Sequence, residues 1–421
     1  MSNAPDEKGE RPAVRMAPRR PRSSSRPAGT EDGARRDGPP VQTGQDWRVW
    51  PTYDAAVLGF RNYWYPVQWA HQIGEKPVPV TVLGERIALV RDGGKVFALQ
   101  DRCPHRGVPL SIGRRQFPGT LSCPYHGWTY RLADGQLCAV ITDGPESPIN
   151  GRVRVATYPV AERIGLVFVW IGDGEPHPVE DDLPRELVDN PFVMGGRSDI
   201  RNGNWRFAAE NGFDEGHAKY LHSTALWRLF KVMPTWNKTR VVRRDDWLIR
   251  IQDEVHWEAD FAGVGRYTNR RWWKRMPLPD APGKASSVNP VIASMQLPGF
   301  VSIRLPGILR VAYPHFIHYE WYVPVDADHV RYVQVMVRFE DGLKARIFQA
   351  KYLSAIRWLF HGQFTAQDAW MVDVMDAPPE RLYRPDLSLT AWRRLVEDSA
   401  PTVQAATTGR SGARESLDGG L

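Results

Sequence analysis

Short apolar runs bounded by turn-forming residues dominate the first half of the chain. Residues 78–83 and 86–91 are rich in Val, Ile and Leu and predict two strands. Asp92-Gly93-Gly94-Lys95 has the composition of a tight hairpin turn, so residues 96–100 read as the returning strand. Further strands are predicted at 128–131, before an Ala133-Asp134-Gly135 turn, and at 166–171. The pattern defines a small all-β domain over residues 54–174. Residues 47–60 read as a lead-in with a short helix, and proline-rich residues 176–184 as a linker.

From residue 185 the pattern changes. Strand-like runs fall at 239–242, 247–253, 300–305, 308–311, 318–325 and 330–338. A helical pattern then extends from 343 to 375, interrupted near Gly362, where glycine breaks helix periodicity. Strands followed by helices predict an α+β domain around an antiparallel sheet, residues 185–400. No internal repeat is present.

Composition changes the picture mainly at the ends. The first 46 residues carry eight Arg, one Lys and seven acids among many Pro, Gly and Ser. Such a segment buries too little apolar surface to offset the entropy of ordering, so residues 1–46 are expected to form a disordered tail. Residues 401–421, rich in Thr, Gly, Ser and Ala, are expected to form a second. Arg19-Arg20 is followed by no apolar stretch, so no twin-arginine export signal is expected. No run of about 18 apolar residues predicts a membrane span. The formal net charge is +7, but the basic tail has no interleaved aromatics, so no nucleic-acid partner is expected. Three Cys (Cys103, Cys123 and Cys138) are too few for a disulfide framework and suit a reducing, cytoplasmic compartment. Most of the 17 Trp lie from Trp205 onward, which suits an aromatic-rich core or a large apolar pocket.

Two of the three Cys belong to the most informative chemistry of the chain. Cys103-Pro104-His105-Arg106-Gly107 and Cys123-Pro124-Tyr125-His126-Gly127 read C-x-H, a gap of 17 residues, then C-x-x-H. Each segment offers one thiolate and one imidazole, with Pro beside the Cys and Gly after the His, as tight loops require. Two thiolates on one iron and two imidazoles on the other make a [2Fe–2S] cluster of the Rieske type. The alternative is a Cys2His2 zinc site; the short C-x-H spacing and the pairing of one Cys with one His in each loop favour the cluster. Cys138 lies outside the motif and reads as a buried structural thiol.

A second constellation is Asn211-Gly212-Phe213-Asp214-Glu215-Gly216-His217-Ala218-Lys219-Tyr220-Leu221-His222. On a straight α-helix, five residues leave the two imidazoles about 140° apart, so His217 and His222 can share a metal only across a local distortion. A widened, π-type turn is one such distortion, and such turns favour functional sites.

The two Cys/His loops resemble those of the Rieske family, over residues 60–172. Respiratory and photosynthetic Rieske proteins add a second Cys to each loop; here Gly107, Val108 and Tyr125 stand at the matching places, and the loops resemble the oxygenase branch. Asp214, His217 and His222 together resemble the mononuclear iron motif of Rieske non-haem iron oxygenases. Residues 59–67, 210–214, 305–309, 320–324 and 391–395 are similar to terminal oxygenases of the carbazole dioxygenase type. The resemblance spans residues 54–396, with 224–300 matching poorly.

The resemblance implies a Rieske [2Fe–2S] domain followed by a helix-grip (START/Bet v1-like) catalytic domain. It implies that Cys103, His105, Cys123 and His126 hold the cluster, and that His217, His222 and a distant carboxylate hold Fe(II) as a facial triad. Asp368, amid Phe364-Thr365-Ala366-Gln367 and Ala369-Trp370, is the favoured third ligand, with Asp373 and Asp376 as alternatives. Asp214 matches the carboxylate that links a cluster His of one subunit to an iron His of its neighbour, and Asn211 a polar residue near the iron. A homotrimer of this chain alone is implied, supplied with electrons by a ferredoxin and a reductase. It would use O2 to hydroxylate or otherwise oxidise an apolar (poly)aromatic or heteroaromatic substrate. Two other readings stay open: oxidative ring closure of a prodiginine-like natural product, and a Rieske electron carrier without catalysis.

Overall fold

A computed structural model of the protein describes residues 50–225, 234–256, 258–268, 301–313, 316–375, 380–383, 386–399 and 404–405. The expected N-terminal tail and Asp376 lie outside the described residues. Helix α1 (Pro51–Ala55) leads into β1 (Phe60–Arg61), β2 (Tyr63–Trp69), β3 (Val78–Val82), β4 (Glu85–Asp92) and β5 (Lys95–Gln100). Gly93 and Gly94, between β4 and β5, both take positive φ, 53° and 80°. That is the backbone of a two-residue turn whose twist matches its strands, and it pairs Asp92 with Lys95. There follow β6 (Thr120–Ser122), β7 (Trp128–Arg131), β8 (Leu137–Val140), β9 (Thr157–Tyr158), β10 (Val160–Arg163) and β11 (Leu166–Ile171). They form sheets of order β3-β4-β5-β9, β10-β11-β2 and β6-β7-β8. The middle position of β11 explains its unbroken apolar run: all six residues are buried.

The second half contains α2 (Arg185–Asp189), β12 (Val193–Asn202), α3 (Trp205–Phe213) and α4 (Gly216–Tyr220). Strands β13 (Trp236–Arg244), β14 (Trp247–His256), β15 (Glu258–Phe261), β16 (Gly265–Thr268), β17 (Val301–Arg304), β18 (Ile308–Tyr313), β19 (Phe316–Pro324) and β20 (His329–Arg338) follow. Helices α5 (Gly342–Lys351), α6 (Thr365–Val374) and α7 (Leu387–Asp398) complete it. Seven strands make one antiparallel sheet, β12-β20-β19-β18-β17-β14-β13, as the α+β pattern predicted. Strand alternation divides its two faces. Ile317, Tyr319, Trp321 and Val323 of β19 pack into one core with Trp64, Val67 and Phe168 of the N-terminal strands. Tyr322 packs on the other face with Trp205, Ala208 and Phe213 of α3.

The two halves of the chain share that core. Residues 176–184 are no free linker: Val179, Asp182 and Leu183 are buried, and Asp182 Oδ2 accepts the Trp64 backbone N–H at 2.7 Å. The Pro content suggested a loop, and the two apolar anchors tie that loop down. Just beyond it, buried Glu186 of α2 accepts from Arg310 Nε and from Tyr319 OH, both at 2.6 Å. Glu186→Ala leaves the guanidinium, 1% exposed, without this carboxylate. It is expected to cost about 3–5 kcal/mol of stability, read as a lower urea midpoint.

Other differences have local causes. Pro66 hid β2 from a pattern reading, but β2 is the edge of its sheet, where Pro is tolerated. Gly195-Gly196 hid β12; a Cβ at Gly195 would stand 2.3 Å from the Tyr352 ring and one at Gly196 2.6 Å from Trp69. In the expected C-terminal tail, Gln404–Ala405 pair with β1. The helical pattern from 343 is interrupted more broadly than at Gly362: π-helical turns span Tyr352–Ile356 and Trp358–Phe364.

Candidate metal centres

Two loops with the same internal bonding carry the Cys/His motif. Gly107 N–H donates to Cys103 O and Gly127 N–H to Cys123 O; Cys103 N–H donates to Val108 O and Cys123 N–H to Trp128 O. Gly107 and Gly127 adopt φ of 75° and 69°, the left-handed backbone that glycine allows without strain. Each loop therefore turns its Cys inward and its His outward. Cys103 and Cys123 are 1% and 4% exposed, while His105 is exposed and His126 half-buried. The two imidazoles sit with centroids 4.6 Å apart, and His105 stacks on Trp128 at 4.7 Å. Tyr130 OH lies 3.1 Å from Cys103 Sγ. Burial and the neighbouring Cys103 raise the Cys123 thiol, against the backbone N–H groups of Tyr125 and His126. A bound metal reverses that balance, because it takes the deprotonated sulfur. Cys138 is only half-buried and its Sγ donates to Thr129 O at 3.3 Å, so it is less enclosed than expected.

The second constellation closes by a route the sequence did not predict. Asp214 caps the start of α4: its Oδ1 accepts Gly216 N–H at 2.9 Å and its Oδ2 accepts His217 N–H at 2.8 Å. Helix α4 then ends at Tyr220 and a 3-10 turn covers Leu221–Thr224. The break is a tightening rather than a π-type widening, which occurs instead at 352–364. It leaves the His217 and His222 rings 5.2 Å apart.

Asp368, in the first turn of α6, meets both rings. Its Oδ1 lies 3.4 Å from His217 Nε2 and 3.1 Å from His222 Nε2. Among the described residues, these three form the set of His, Cys, Asp or Glu whose ligand atoms all lie within 4.8 Å of one another. Ligands cis to each other at about 2.1 Å from an octahedral ion lie about 3 Å apart, so the set fits one ion. His222 is fully buried and turns its Nε2 to Asp368 Oδ1, as two ligands of one ion would face each other. The opposite ring atoms are held: His222 Nδ1 is 3.0 Å from Gln367 Oε1, and His217 Nδ1 3.3 Å from Asp214 Oδ2. Both contacts favour the tautomer with Nε2 bare. Asn211 Nδ2 donates to Asp368 Oδ1 at 3.2 Å. Burial alone would raise the Asp368 carboxyl; His222, His217 and Asn211 outweigh it and hold it below the ordinary carboxylate range. Asp373 is directed elsewhere, accepting from Asn202 Nδ2 at 2.8 Å.

Gln367 and Phe364, whose ring lies 3.7 Å from that of His222, were missed by sequence reasoning. Their one signal was adjacency to Asp368. A cavity opens beside the triad, with Val301, Leu309, Val311 and Tyr313 on the sheet side and Phe364 on the helix side.

Residues 63–159 match the Rieske [2Fe-2S] domain family, and residues 170–404 match the family described as homotrimeric ring hydroxylase. The chain belongs to the Rieske non-haem iron ring hydroxylases, oxygenases that carry a [2Fe–2S] cluster and a mononuclear iron. It is 35% identical over 386 residues to the terminal oxygenase component of carbazole 1,9a-dioxygenase from a Sphingomonas species, covering 85% of this chain and 97% of that one. The solved terminal oxygenase of carbazole 1,9a-dioxygenase from Novosphingobium sp. KA1 matches with a TM-score of 0.71 at 31% identity, over 86% of this chain and 98% of that one. The oxygenase in a reduced oxygenase–ferredoxin complex of carbazole 1,9a-dioxygenase matches with a TM-score of 0.69 at 30% identity, over 86% and 94%. Membership of this family sets aside the zinc reading and the electron carrier without catalysis. Among the described residues no helix is long and apolar enough to cross a membrane.

Proposed function

We propose that the protein is the terminal oxygenase of a multicomponent system. It takes electrons from a ferredoxin, itself served by a reductase, and uses O2 to oxidise an apolar polyaromatic or heteroaromatic substrate. The observation that carries this reading is the convergence of His217 Nε2, His222 Nε2 and Asp368 Oδ1 beside a largely apolar cavity. Cys103 and Cys123 hold one iron of the cluster and His105 and His126 the other, while His217, His222 and Asp368 hold Fe(II). Such a triad leaves positions on the metal open for O2 and substrate, and the cluster supplies electrons.

The protein's own groups prepare that chemistry. Asp214 and Gln367 hold the Nδ1 sides of His217 and His222 and so aim both Nε2 lone pairs at one point. The Asn211 amide fixes the Asp368 carboxylate. Val301, Leu309, Val311 and Phe364 bury the aromatic ring and exclude water. The Asp214 side chain keeps 23% of its surface exposed, room for a cluster histidine of a neighbouring subunit in a homotrimer. The exposed His105 offers the complementary surface. The limits 54–174 and 185–400 then separate an electron-accepting module from a catalytic one, although the two share a core. Three Cys outside any disulfide support a cytoplasmic location.

Reconstituted protein is expected to hold about three irons per chain and, with ferredoxin and reductase, to convert members of a panel of polycyclic and pyrrolic aromatics. Two irons per chain, or no aromatic-dependent O2 consumption, would overturn the reading. Product analysis separates hydroxylation from oxidative ring closure.

A further inference from the structure

The imidazoles of the two centres are held in different ways. At the mononuclear centre the ring atoms opposite the Nε2 nitrogens meet Asp214 and Gln367. At the cluster loops no side chain does this. Among the described residues neither the His105 ring nor the His126 ring makes a hydrogen bond or an ion pair. Aromatic rings stand in that place. The Trp128 indole lies parallel to the His105 imidazole, with centroids 4.7 Å apart and planes 3° apart. His126 packs edge-on to His105 at 4.6 Å, and Tyr125 lies 3.8 Å from His126.

Trp128 itself is firmly held. It is the first residue of β7 and pairs with Val140 of β8. Its carbonyl oxygen accepts the Cys123 N–H at 2.8 Å. Its ring packs against the small core that includes Leu121, Tyr130, Leu137 and Val140. His105, by contrast, stands exposed on its loop. The stack therefore ties the first Cys/His loop to a fixed ring beside the second.

The stack also acts electrostatically. The face of an aromatic ring is negative. With two thiolates, two sulfides and two ferric ions the oxidised cluster is neutral, and the electron that reduces it leaves one negative charge. A π face over His105 opposes that charge. The indole also keeps water from that side of the ring, and solvent access is one of the factors that set a cluster's potential. Both effects disfavour the reduced state.

We propose that Trp128 is a positioning residue for the cluster: stacked on His105, it fixes the plane of that imidazole and holds the reduction potential of the cluster down. An electron accepted from ferredoxin is then passed on more readily to the mononuclear iron. This rests on the reading of Cys103, His105, Cys123 and His126 as the cluster ligands.

The midpoint potential of the cluster in the holoprotein, read by spectroelectrochemistry, tests this without turnover. Trp128→Leu keeps an apolar side chain but no π face. It is expected to keep the visible spectrum of the cluster and to shift the reduction equilibrium about tenfold toward the reduced form, ~59 mV for one electron. Trp128→Phe keeps a smaller ring and should shift it the same way by less, and it carries the test if Trp128→Leu loses the cluster. A potential that is unchanged or lower in these variants would overturn the proposal. Loss of the cluster from both would overturn it too, leaving Trp128 as an element of folding only. Absence of a Rieske-type visible spectrum from the unsubstituted protein would instead sink the ligand reading, and the proposal with it.

Discussion

Asp214→Ala is expected to lower product formation about 100-fold or more while leaving the iron content and the visible spectrum of the cluster unchanged. The carboxylate touches three groups of its own chain: Gly216 N–H, His217 N–H and the Nδ1 side of the His217 ring. Burial works to raise its carboxyl, but His217 and the two backbone N–H groups outweigh that and hold it well below the usual carboxylate range. It is thus an ionised acceptor at any working pH. Among the described residues no contact joins either cluster loop to it, so a role between the two metal centres needs a neighbouring subunit. Asp214→Asn keeps one oxygen, for one of the two backbone N–H groups, but not the charge, and should keep more of the turn than Asp214→Ala with most of the activity still lost. Chromatographic product assay, iron assay and absorbance spectra check both variants. Full turnover in Asp214→Ala would remove the bridging role. Loss of the mononuclear iron would reduce Asp214 to a support for the His217 ring.

His217→Ala is expected to leave about two irons per chain in place of about three, with no product and an intact visible spectrum. The two constellations share no residue. One rests on loops around the β6-β7-β8 sheet, the other on α3, α4 and α6. Without His217 the remaining pair, His222 and Asp368, provides two of the three protein ligands of a facial triad, too few to retain the ion. Asp368→Ala should behave in the same way. A bleached visible spectrum in His217→Ala would sink the assignment of two separate centres.

The legible parts of this protein were those whose signal is local. The β4–β5 hairpin could be read because two adjacent glycines permit one kind of turn. The cluster loops could be read because two Cys and two His sit within two short segments. β2 and β12 could not, since Pro66 and Gly195-Gly196 argue against strands until the sheet edge and the rings of Tyr352 and Trp69 are known. Residues 176–184 looked like a linker because Pro is visible in a sequence, whereas the packing of Val179 and Leu183 is not.

The sequence by itself determined the chemistry on offer: two Cys and two His for a cluster, and two His beside an acid for an ion. It also determined the α+β order of the elements, since strand and helix periodicities are properties of neighbouring residues. The tertiary structure alone decided which acid meets the two imidazoles. Asp368 and Asp373 lie on the same helix, and only the packing of α6 on α3 brings the first to His217, His222 and Asn211 while the second pairs with Asn202. It alone showed that a tightened turn, not a widened one, gathers the two imidazoles.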